Sequence, residues 1–339
     1  MRILITGSTG MVGSHAAVAL ERAGHDLRFL ARKPDRVDAV LSPLGVQSRA
    51  VVRGDVTDPA AVSSALDGCD AVLHAAGFLT FDRARTDEMV RTNVNGTRNV
   101  IEAALKQNLD PVVVVSSVQA LWRPGVGELT CQSPVADPTD PYSRTKAAAE
   151  KIAREYQRRG APVVSLYPGA VWGPDNPTLG DQITTIFAMV KWGYFLSVYG
   201  GIPIVDTRDL ALGIAQAMQP ALGPQRYMLA GHYRSHDQLR ELISRLRGRP
   251  LLRLPIPVPV LRATGRICDK LRNGLGINTG AISEEAMVIA TSALRGDSRE
   301  SLAQLGISFR PIEETVRAQM RWMAEGGHLS LRAAGDVAR

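Results

Sequence analysis

The sequence predicts an α/β protein built on a doubly wound parallel sheet, with a smaller and mostly helical part after it. Two observations support this class. Short apolar segments alternate with helical segments over the first two thirds of the chain, which is typical of parallel strands joined by right-handed crossovers. The segment Val112–Val115 consists of four valines, as in a central strand that is buried on both faces.

The predicted strands and helices follow one another closely in this part. Apolar runs and turn residues place strands at 2–6, 26–30, 50–53, 71–74, 111–116, 162–167 and 226–229. Helical patterns occupy 11–23, 87–107 and 142–159, and a further helix ends at 66. After Pro168 and Gly169 the alternation stops, and residues 235–330 carry mostly helical patterns, interrupted by the proline-rich segment 254–260.

Composition and charge exclude several classes of protein. Of the 339 residues, 45% are hydrophobic and 22% are charged, as in ordinary soluble globular proteins. The net charge is +7, but most of the 40 basic residues are arginines scattered along the chain, and no nucleic-acid-binding motif occurs. We therefore expect a solvated basic surface and no nucleic acid partner.

The cysteines and the first residues bear on the location of the protein. Cys69, Cys131 and Cys268 are far apart in the sequence and suggest neither a disulfide framework nor a metal site. The first strand begins at residue 2, so no signal peptide is expected, and no apolar run approaches the ~20 residues that span a bilayer. The sequence therefore predicts a cytoplasmic protein without a bound metal.

The loop after the first strand has the spacing of a dinucleotide-binding turn. Gly7, Gly10 and Gly13 follow the strand directly and open the next helix. In such a turn the first glycine allows a tight bend, the second lets a pyrophosphate approach the backbone and the third lets the helix pack on the sheet. The phosphates then lie at the helix N-terminus, near its free N–H groups. This loop identifies the sheet as Rossmann-type.

The end of the second strand indicates which dinucleotide binds. An NAD site usually carries an acidic residue there, which bonds the ribose 2′-hydroxyl. This chain has Arg32 and Lys33, and no acid before Asp35. Arg32 is suited to a 2′-phosphate, and Lys33 could add a second charge. We therefore expect a preference for NADP(H), with NAD(H) also possible.

These features define the expected domains. We predict an NADP-binding Rossmann domain over residues 1–171, to which 204–230 returns. Residues 172–203 and 231–330 are expected to form a substrate-binding lid over the carboxyl edge of the sheet, where ligands bind in such folds. Residues 331–339 form a tail.

A Tyr-x-x-x-Lys pair supplies the chemistry. Tyr142 and Lys146 are four residues apart at the start of a predicted helix, so both lie on one face. The ammonium of Lys146 is then expected to lower the phenol pKa of Tyr142, which could exchange a proton with a substrate oxygen. Ser116 and Ser117 follow the valine strand, and we choose Ser117 as the hydroxyl that polarises the same oxygen.

These motifs together resemble the extended branch of the short-chain dehydrogenase/reductase superfamily over essentially the whole chain. The likeness is closest to members that are similar to dihydroflavonol reductases and 3β-hydroxysteroid dehydrogenases. It implies Ser117, Tyr142 and Lys146 as catalytic residues. The cofactor contacts that the motifs and the resemblance predict are Gly7, Thr9, Gly10, Met11, Val12, Gly13, Arg32, Lys33, Asp55, Val56, Ala75, Ala76, Gly77, Asn93, Ser116, Tyr142, Lys146, Pro168, Gly169, Ala170 and Val171.

Two departures from the family pattern are informative. The family often has arginine before the Pro-Gly turn, where this chain has Tyr167. Nucleotide-sugar dehydratases of this branch place Thr-Asp-Glu where this chain has Ser117, Val118 and Gln119. Dehydratase chemistry is therefore not expected.

The favoured function is reduction of a ketone or aldehyde on a largely apolar substrate, such as a sterol-like or flavonoid-like compound, or oxidation of the corresponding secondary alcohol. Candidate substrate-binding residues are Phe78, Leu121, Trp122, Trp172, Trp192, Tyr194 and Phe195, each of which could equally be a core residue. Two alternatives remain: a nucleotide-sugar epimerase that recycles a tightly bound NAD, and a non-catalytic NADP-binding sensor. The retained Tyr–Lys pair argues against the sensor.

The segment from Leu254 to Val260 raises a question of partners. Basic residues follow it at Arg262, Arg266, Lys270 and Arg272. Such a segment can contact a membrane surface, although a proline-broken lid helix is the more ordinary interpretation. The expected partner is a small-molecule substrate. The sequence is compatible with either a monomer or a homodimer.

Overall fold

Short strands and amphipathic helices account for most of the chain in the computed structural model, which describes residues 1–47, 50–80, 85–123, 125–275 and 283–338. The strands are β1 (Arg2–Thr6), β2 (Asp26–Ala31), β3 (Ala50–Arg53), β4 (Ala71–His74), β5 (Val112–Val115), β6 (Val163–Pro168), β7 (Ala170–Trp172), β8 (Tyr194–Ser197), β9 (Gly201–Asp206), β10 (Gln225–Leu229), β11 (His232–Ser235) and β12 (Leu252–Pro255).

The helices lie between and after these strands. They are α1 (Met11–Arg22), α2 (Pro34–Leu41), α3 (Pro59–Leu66), α4 (Thr86–Val90), α5 (Gly96–Lys106), α6 (Pro141–Arg158), α7 (Asp181–Trp192), α8 (Thr207–Ala217), α9 (His236–Leu246), α10 (Val258–Leu275), α11 (Glu284–Ala290), α12 (Arg299–Leu305), α13 (Ile312–Glu325) and α14 (Leu331–Ala334).

Seven strands form one sheet in the order β10-β6-β5-β4-β1-β2-β3, and every neighbouring pair in it is parallel. From β1 the chain continues to β2 and β3 on one side of the sheet. It then crosses to β4, and β5, β6 and β10 follow on the other side. The predicted Rossmann-type, doubly wound α/β fold is therefore confirmed. In such sheets the crevice beyond the carboxyl ends of β1 and β4 is the ligand-binding position.

Alternating side chains of the central strands explain why both faces of the sheet are covered. Val113 belongs to a core cluster that also contains Ile3, Ile5 and Phe29, whereas Val112 and Val114 belong to a second cluster on the other side. Since neighbouring residues of a strand point to opposite faces, the valine strand fills both cores. Helices α1 and α8 contribute to the first core, and α3, α5 and α6 to the second.

The predicted helix over 87–107 is interrupted. A π-helical turn, Arg91–Asn95, separates α4 from α5. Such a turn adds a residue to the helix and is frequently found at functional sites. Here it carries Asn93, whose buried side chain belongs to the candidate site described below.

The sequence predicted only one strand after Gly169, at 226–229, and this prediction was wrong because there are more. In the described part of the chain, β7, β9 and β11 form a three-stranded sheet, and β8 and β12 form a two-stranded sheet. These strands are only three to six residues long and pair with partners far away in the sequence, so local patterns did not reveal them.

The predicted Rossmann domain and the predicted lid region make more contacts with each other than the predicted ranges suggest. Helix α8 packs on α1, and α12, from the predicted lid, packs on α8 and β10. Trp172 and Val316 belong to a separate core cluster of the lid region. The boundaries at 171, 204 and 230 stay predictions.

Candidate active site

The glycine loop between β1 and α1 has a backbone that depends on two of its glycines. Gly7 has a φ of +75°, and a Cβ there would lie 2.5 Å from the backbone nitrogen of Ala76. A Cβ on Gly13 would lie 2.2 Å from the carbonyl oxygen of Gly7. Both distances are too short for non-bonded atoms, so these residues must be glycine for the loop to fit against β4 and for α1 to pack on the loop.

Gly10 is different, because the protein itself leaves room for a side chain. A Cβ there would meet only the Gly7 carbonyl oxygen, at 3.4 Å. Gly10 is also the N-cap of α1, and it has no side-chain cap and no acidic residue in the first turn. The positive end of the α1 dipole is therefore open to an anion such as a phosphate.

Within the described residues, the buried hydroxyls of two serines near this loop have no hydrogen-bond partner. They are the side chains of Ser8, in the glycine loop, and Ser116, directly after β5. Buried polar groups are normally hydrogen-bonded. Unpartnered hydroxyls at the carboxyl ends of two sheet strands, together with the open space at Gly10, fit a polar ligand such as a dinucleotide in this crevice.

Arg32 and Asp55 define the far side of the crevice. Arg32 follows β2, and its Nε lies 3.9 Å from Oδ2 of Asp55. The other carboxylate oxygen of Asp55 accepts hydrogen bonds from the backbone nitrogen and hydroxyl of Thr57, at 2.9 and 3.0 Å. The Arg32 side chain is 71% exposed, so its guanidinium is accessible to a ligand. Lys33 is also exposed, at the N-cap of α2.

The start of α6 determines the position of Tyr142. Asp140 caps the helix by accepting a 2.7 Å hydrogen bond from the backbone nitrogen of Ser143, and Pro141 is the first helical residue. Asparagine, aspartate and serine caps and a proline at this position favour helix initiation. Tyr142 is thereby held in the first turn, with Lys146 one turn further on.

The predicted catalytic residues meet at the carboxyl end of β5. The hydroxyl of Tyr142 is hydrogen-bonded to that of Ser117, which also accepts a 3.2 Å hydrogen bond from the backbone nitrogen of Gln119. Nζ of Lys146 donates to the carbonyl oxygen of Val115 at 3.2 Å. Gly77 lies against this group, because a Cβ there would be 3.6 Å from Nζ of Lys146.

Burial determines the pKa values of the pair. It raises the pKa of Tyr142 to about 12, although the hydrogen bond from Ser117 opposes this shift and the charge of Asp140 adds to it. Burial also lowers the pKa of Lys146 to about 8, against the charge of Glu150. The expectation that Lys146 lowers the phenol pKa below its usual value is therefore wrong. The cost of placing a phenolate in a buried site outweighs the other effects.

Asn93 fixes the geometry around the pair. Its side-chain oxygen accepts a 2.7 Å hydrogen bond from the backbone nitrogen of Phe78, and its side-chain nitrogen donates to the carbonyl oxygen of Phe78 at 2.8 Å. The same nitrogen donates to the hydroxyl of Thr145 at 3.0 Å. Asn93 thus connects the loop after β4 to helix α6.

A buried chain of hydrogen bonds extends from Asn93 to the glycine loop. The hydroxyl of Thr97 donates to the carbonyl oxygen of Asn93 at 2.7 Å and lies 3.1 Å from Nε2 of His74. Nδ1 of His74 lies 2.8 Å from the hydroxyl of Thr6. These contacts are satisfied together if His74 donates from Nε2 and accepts at Nδ1. Burial lowers the pKa of His74 to about 3, so this ring is neutral at physiological pH.

Tyr167, which stands where the family often has arginine, is hydrogen-bonded to two side chains of α6. Its hydroxyl donates to Oε1 of Glu150 at 2.6 Å and accepts from Arg154 at 3.0 Å. Arg154 also donates to Glu150 at 2.9 Å. This buried group connects β6 to the middle of α6. Sequence patterns indicated no role for this group. They also indicated none for Thr6, His74 and Thr97, because these residues lie in segments that match the family pattern but pair only across different strands and helices.

The other predicted cofactor residues line the same edge of the sheet. Ala75 and Ala76 follow β4, and the Ala76 nitrogen donates to the Thr6 hydroxyl at 3.3 Å. Pro168 ends β6, and Ala170 begins β7. The Gly169 backbone between them passes so close to its neighbours that a Cβ would lie 2.3 Å from the Ala230 carbonyl oxygen. The remaining ones are Thr9, Met11 and Val12 on the glycine loop and α1, Val56 after β3, and Val171 in β7.

The predicted substrate residues occupy different environments. Trp172 is fully buried in the lid core, where its ring centroid lies 5.8 Å from that of Phe187. Phe195 is buried in the same core. Leu121 is buried and Trp122 partly buried in a smaller core, Tyr194 and Phe78 are partly buried, and Trp192 is exposed. Trp172, Phe195 and Leu121 thus have ordinary core contacts, and substrate contact by this set stays a prediction.

The fold and this site define the class of a nicotinamide-dinucleotide-binding α/β enzyme of the short-chain dehydrogenase/reductase type. Residues 3–230 match the model of the NAD dependent epimerase/dehydratase family. Since this match covers more than half of the chain, the protein belongs to that family. The predicted family membership is therefore confirmed.

The similar proteins include several reductases. The chain is 29% identical over 333 residues to sterol demethylase protein B of Methylococcus capsulatus, covering 96% of this chain and 99% of the relative. It is 24% identical to a putative dihydroflavonol 4-reductase of Synechocystis, covering 96% and 95%. A quinoline-oxide ketoreductase of Stigmatella aurantiaca is 32% identical, covering 58% of this chain and 60% of the relative. These relatives indicate an oxidoreductase that acts on a ketone or an alcohol.

Solved structures agree on the fold. The crystal structure of gox2253 superposes with a TM-score of 0.80 at 25% identity, covering 97% of this chain and 99% of the other. A UDP-glucose 4-epimerase from Stenotrophomonas maltophila, solved with bound NAD, has a TM-score of 0.77 at 17% identity, covering 97% and 99%. At such low identity the epimerase shows the fold alone.

Alanine substitutions at Gly10 and Gly13 should separate ligand binding from folding. Gly13→Ala forces a Cβ into the Gly7 carbonyl and should lower the melting temperature markedly. Gly10→Ala meets no such contact, so the protein should fold normally but bind NADPH at least about tenfold more weakly, because the methyl group occupies the space of the pyrophosphate. Thermal melting and NADPH titration check both. Normal NADPH affinity in folded Gly10→Ala would contradict the assignment of this loop.

Removing the Thr97 hydroxyl should weaken the buried hydrogen-bond chain. Thr97→Val keeps the side-chain shape but leaves His74 Nε2 without an acceptor, which should lower the free energy of unfolding by about 1–3 kcal/mol. Thr97→Ser keeps the hydroxyl and is the matched control. Urea unfolding measures both variants. An equal loss of stability in the two would show that the methyl group, and not the hydrogen bond, matters here.

Proposed function

We propose that this protein is an NADP(H)-dependent oxidoreductase that reduces a ketone or aldehyde group of a largely apolar substrate, such as a sterol-like or flavonoid-like compound. The observation that carries the proposal is the position of the Tyr142 phenol beside the Ser117 hydroxyl, in a partly buried site one helical turn from Lys146. Two adjacent hydroxyls of this kind can both contact one carbonyl oxygen.

The bound cofactor would supply hydride to the carbonyl carbon. The glycine loop and the α1 N-terminus would hold its phosphates, and Arg32 would contact its adenosine end. The chain's own residues act on the substrate oxygen. Ser117 would orient and polarise it by donating a hydrogen bond, and Tyr142 would protonate it as negative charge develops there.

The pKa values suit the reductive direction. With a pKa of about 12, Tyr142 retains its proton at neutral pH and is ready to donate it. Lys146, with a pKa of about 8, is mostly charged at pH 7, and its ammonium stabilises the phenolate that forms when the proton leaves. Oxidation of an alcohol would first require a phenolate, which burial disfavours. We therefore infer reduction as the favoured direction.

The preference for NADP(H) is supported by Arg32. The residue directly after β2 is a largely exposed arginine, and its contact with Asp55, at 3.9 Å, is long and solvent-exposed. Such pairs contribute little free energy, so a 2′-phosphate could take Asp55's place at the guanidinium. Arg32 also provides the planar, bidentate geometry that phosphate groups favour.

The apolar substrate class is supported by the relatives. Their names refer to a sterol, a dihydroflavonol and a farnesylated quinoline oxide, which are ring systems with large hydrophobic areas. Phe78 is the candidate that the structure ties most directly to the site, because Asn93 holds its backbone on both sides. The substrate of this chain would bind between that loop and the lid.

Substitutions at Tyr142 and Ser117 test the chemistry. Tyr142→Phe removes the transferable proton and should lower reductive turnover by roughly 10²–10⁴-fold, while NADPH still binds. Ser117→Ala should lower turnover by roughly 10²-fold, because it removes one hydrogen bond to the developing charge. Steady-state kinetics on a ketone or aldehyde identified by screening, monitored by NADPH absorbance, measure both effects.

Ser116→Ala provides the matched control for Ser117→Ala. The Ser116 hydroxyl is buried without a partner, so its loss should weaken cofactor binding more than turnover. Full activity of Tyr142→Phe on a verified substrate would rule out the proposed proton donor. A large loss of turnover in Ser116→Ala with normal Ser117→Ala would move the polarising role by one residue.

Charge reversal at Arg32 tests the cofactor preference. The wild-type protein should bind NADPH at least tenfold more tightly than NADH, which corresponds to about 1.4 kcal/mol. Arg32→Asp places a carboxylate opposite the 2′-phosphate and should abolish or reverse that preference. Arg22→Asp, at the exposed far end of α1, makes the same change in net charge away from the site and should have no effect. Equal affinities of the wild type for both cofactors would contradict the proposal.

A further inference from the structure

We propose that an exposed apolar face, formed by β8, β12 and the first three turns of α10, docks on an anionic membrane surface from which the protein takes its substrate. We call it the lid face. The role in substrate delivery rests on the proposed function, whereas the docking itself rests on the geometry and charge described below.

The two-stranded sheet presents one apolar side to solvent. β8 and β12 are parallel, with Leu252 beside Tyr194 and Leu254 beside Leu196. Alternate residues of a strand share a face, so these four side chains lie together. Leu252 is 64% exposed and Leu254 36%. Exposed leucines at successive positions of one strand face are unusual on a soluble protein surface.

The opposite side of the same sheet faces the protein. Phe195 is buried in the lid core, and Arg253 donates to the Ser197 hydroxyl at 3.0 Å and to the Asp237 carboxylate at 2.8 Å. The sheet is therefore anchored on its polar and buried side. The apolar side is free of these contacts and is directed outward.

Trp192 extends the apolar face at the end of α7. The next residue, Gly193, accepts a 2.9 Å hydrogen bond at its carbonyl oxygen from the backbone nitrogen of Leu252. Trp192 therefore lies close to the start of β12, and it is 75% exposed. Tryptophan is enriched where an apolar phase meets water, because its ring is amphipathic.

Helix α10 continues the face. Only Ile256 and Pro257 separate it from β12. Val260 and Ile267, two helical turns apart on one side, are 54% and 57% exposed. The other side of the helix packs on α11, where a Cβ on Gly265 would lie 2.7 Å from the Ser283 carbonyl oxygen. The apolar stripe of α10 is thus on its exposed side.

Basic residues border this face. On α10, Arg266 and Lys270 are exposed on the side that carries Ile267, and Lys191 is exposed next to Trp192. The long contact of Arg266 with Glu284, at 3.8 Å between exposed groups, leaves its charge largely available. No acidic residue occurs in the sequence between Glu241 and Asp269. An apolar stripe with cationic borders is the pattern of a surface that binds anionic lipid.

The positive charge around the lid face favours an anionic lipid surface over a second copy of this chain as its binding partner. A second copy of this chain would bring the same positive border against its own, which opposes pairing through this face. An anionic lipid surface offers both negative charge and an apolar interior. No helix in the described parts of the chain is long and apolar enough to cross a membrane. We therefore assign surface docking and not insertion across the bilayer.

Vesicle sedimentation with the full-length protein tests this proposal without substrate or cofactor. The wild type should bind vesicles that contain phosphatidylglycerol and bind pure phosphatidylcholine vesicles much more weakly. The variant Leu252→Ser/Val260→Ser/Ile267→Ser should lower the partition coefficient by at least about tenfold, because three exposed apolar side chains are lost. Lys191→Glu/Lys270→Glu should lower binding to the anionic vesicles, as should added salt.

Leu331→Ser is the matched control, because Leu331 on α14 is 68% exposed but outside the lid face, and its binding should equal that of the wild type. Absence of wild-type binding to anionic vesicles would overturn the proposal, as would unchanged binding in both the serine and the glutamate variants. The proposal would also be overturned if the serine variant still bound vesicles but no longer self-associated in ultracentrifugation, because the face would then bind a second copy of the chain. Turnover of a water-soluble carbonyl substrate should be normal in these variants, so failure of docking is distinguishable from failure of the proposed function.

Discussion

The buried hydrogen bonds of Asn93 are the interaction on which the candidate site depends. One amide group holds both backbone polar groups of Phe78, in the loop after β4, and also the hydroxyl of Thr145 on α6. Through Thr97 and His74 the same chain reaches Thr6 at the end of β1. A single connected set of hydrogen bonds thus joins the start of the glycine loop, the loop after β4 and helix α6.

This arrangement explains how the site can be both buried and polar. Buried polar groups are costly unless every donor and acceptor is paired. The chain through His74 is paired along its length, so its polar groups can be buried beside Tyr142 and Lys146 without that cost. Partial burial raises the pKa of Tyr142 and lowers the pKa of Lys146, so it favours the neutral form of each.

Much of the fold could be predicted from the sequence, because its signals are local. The valine strand, the glycine loop and the Tyr142–Lys146 spacing each lie within a few consecutive residues. The lid strands could not be predicted in this way, since β9 pairs with β11 and β8 with β12 across long separations. The same reason applies to the group of Tyr167, Glu150 and Arg154, which forms only when β6 packs on α6.

The three predicted catalytic residues lie together, their catalytic role stays a prediction, and the expected direction of the Tyr142 pKa shift was wrong. Ser117, Tyr142 and Lys146 are brought together as expected from their places on β5 and α6. The phenol pKa was expected to fall because Lys146 is near in sequence, but it rises because burial is a property of the whole fold. Trp172 illustrates the same limit, since an aromatic residue after β6 gives no local sign of whether it faces the core or a ligand.

Isotope transfer tests the central claim, that the site performs a net reduction, most directly. The protein is incubated with a verified carbonyl substrate and NADPH that carries deuterium at the transferred position. The proposed function predicts one deuterium on the carbonyl carbon of the alcohol product and one NADP⁺ formed for each product molecule. An epimerase would return its cofactor to the starting state after each cycle. Conversion of substrate without net consumption of NADPH would therefore contradict the reductase assignment.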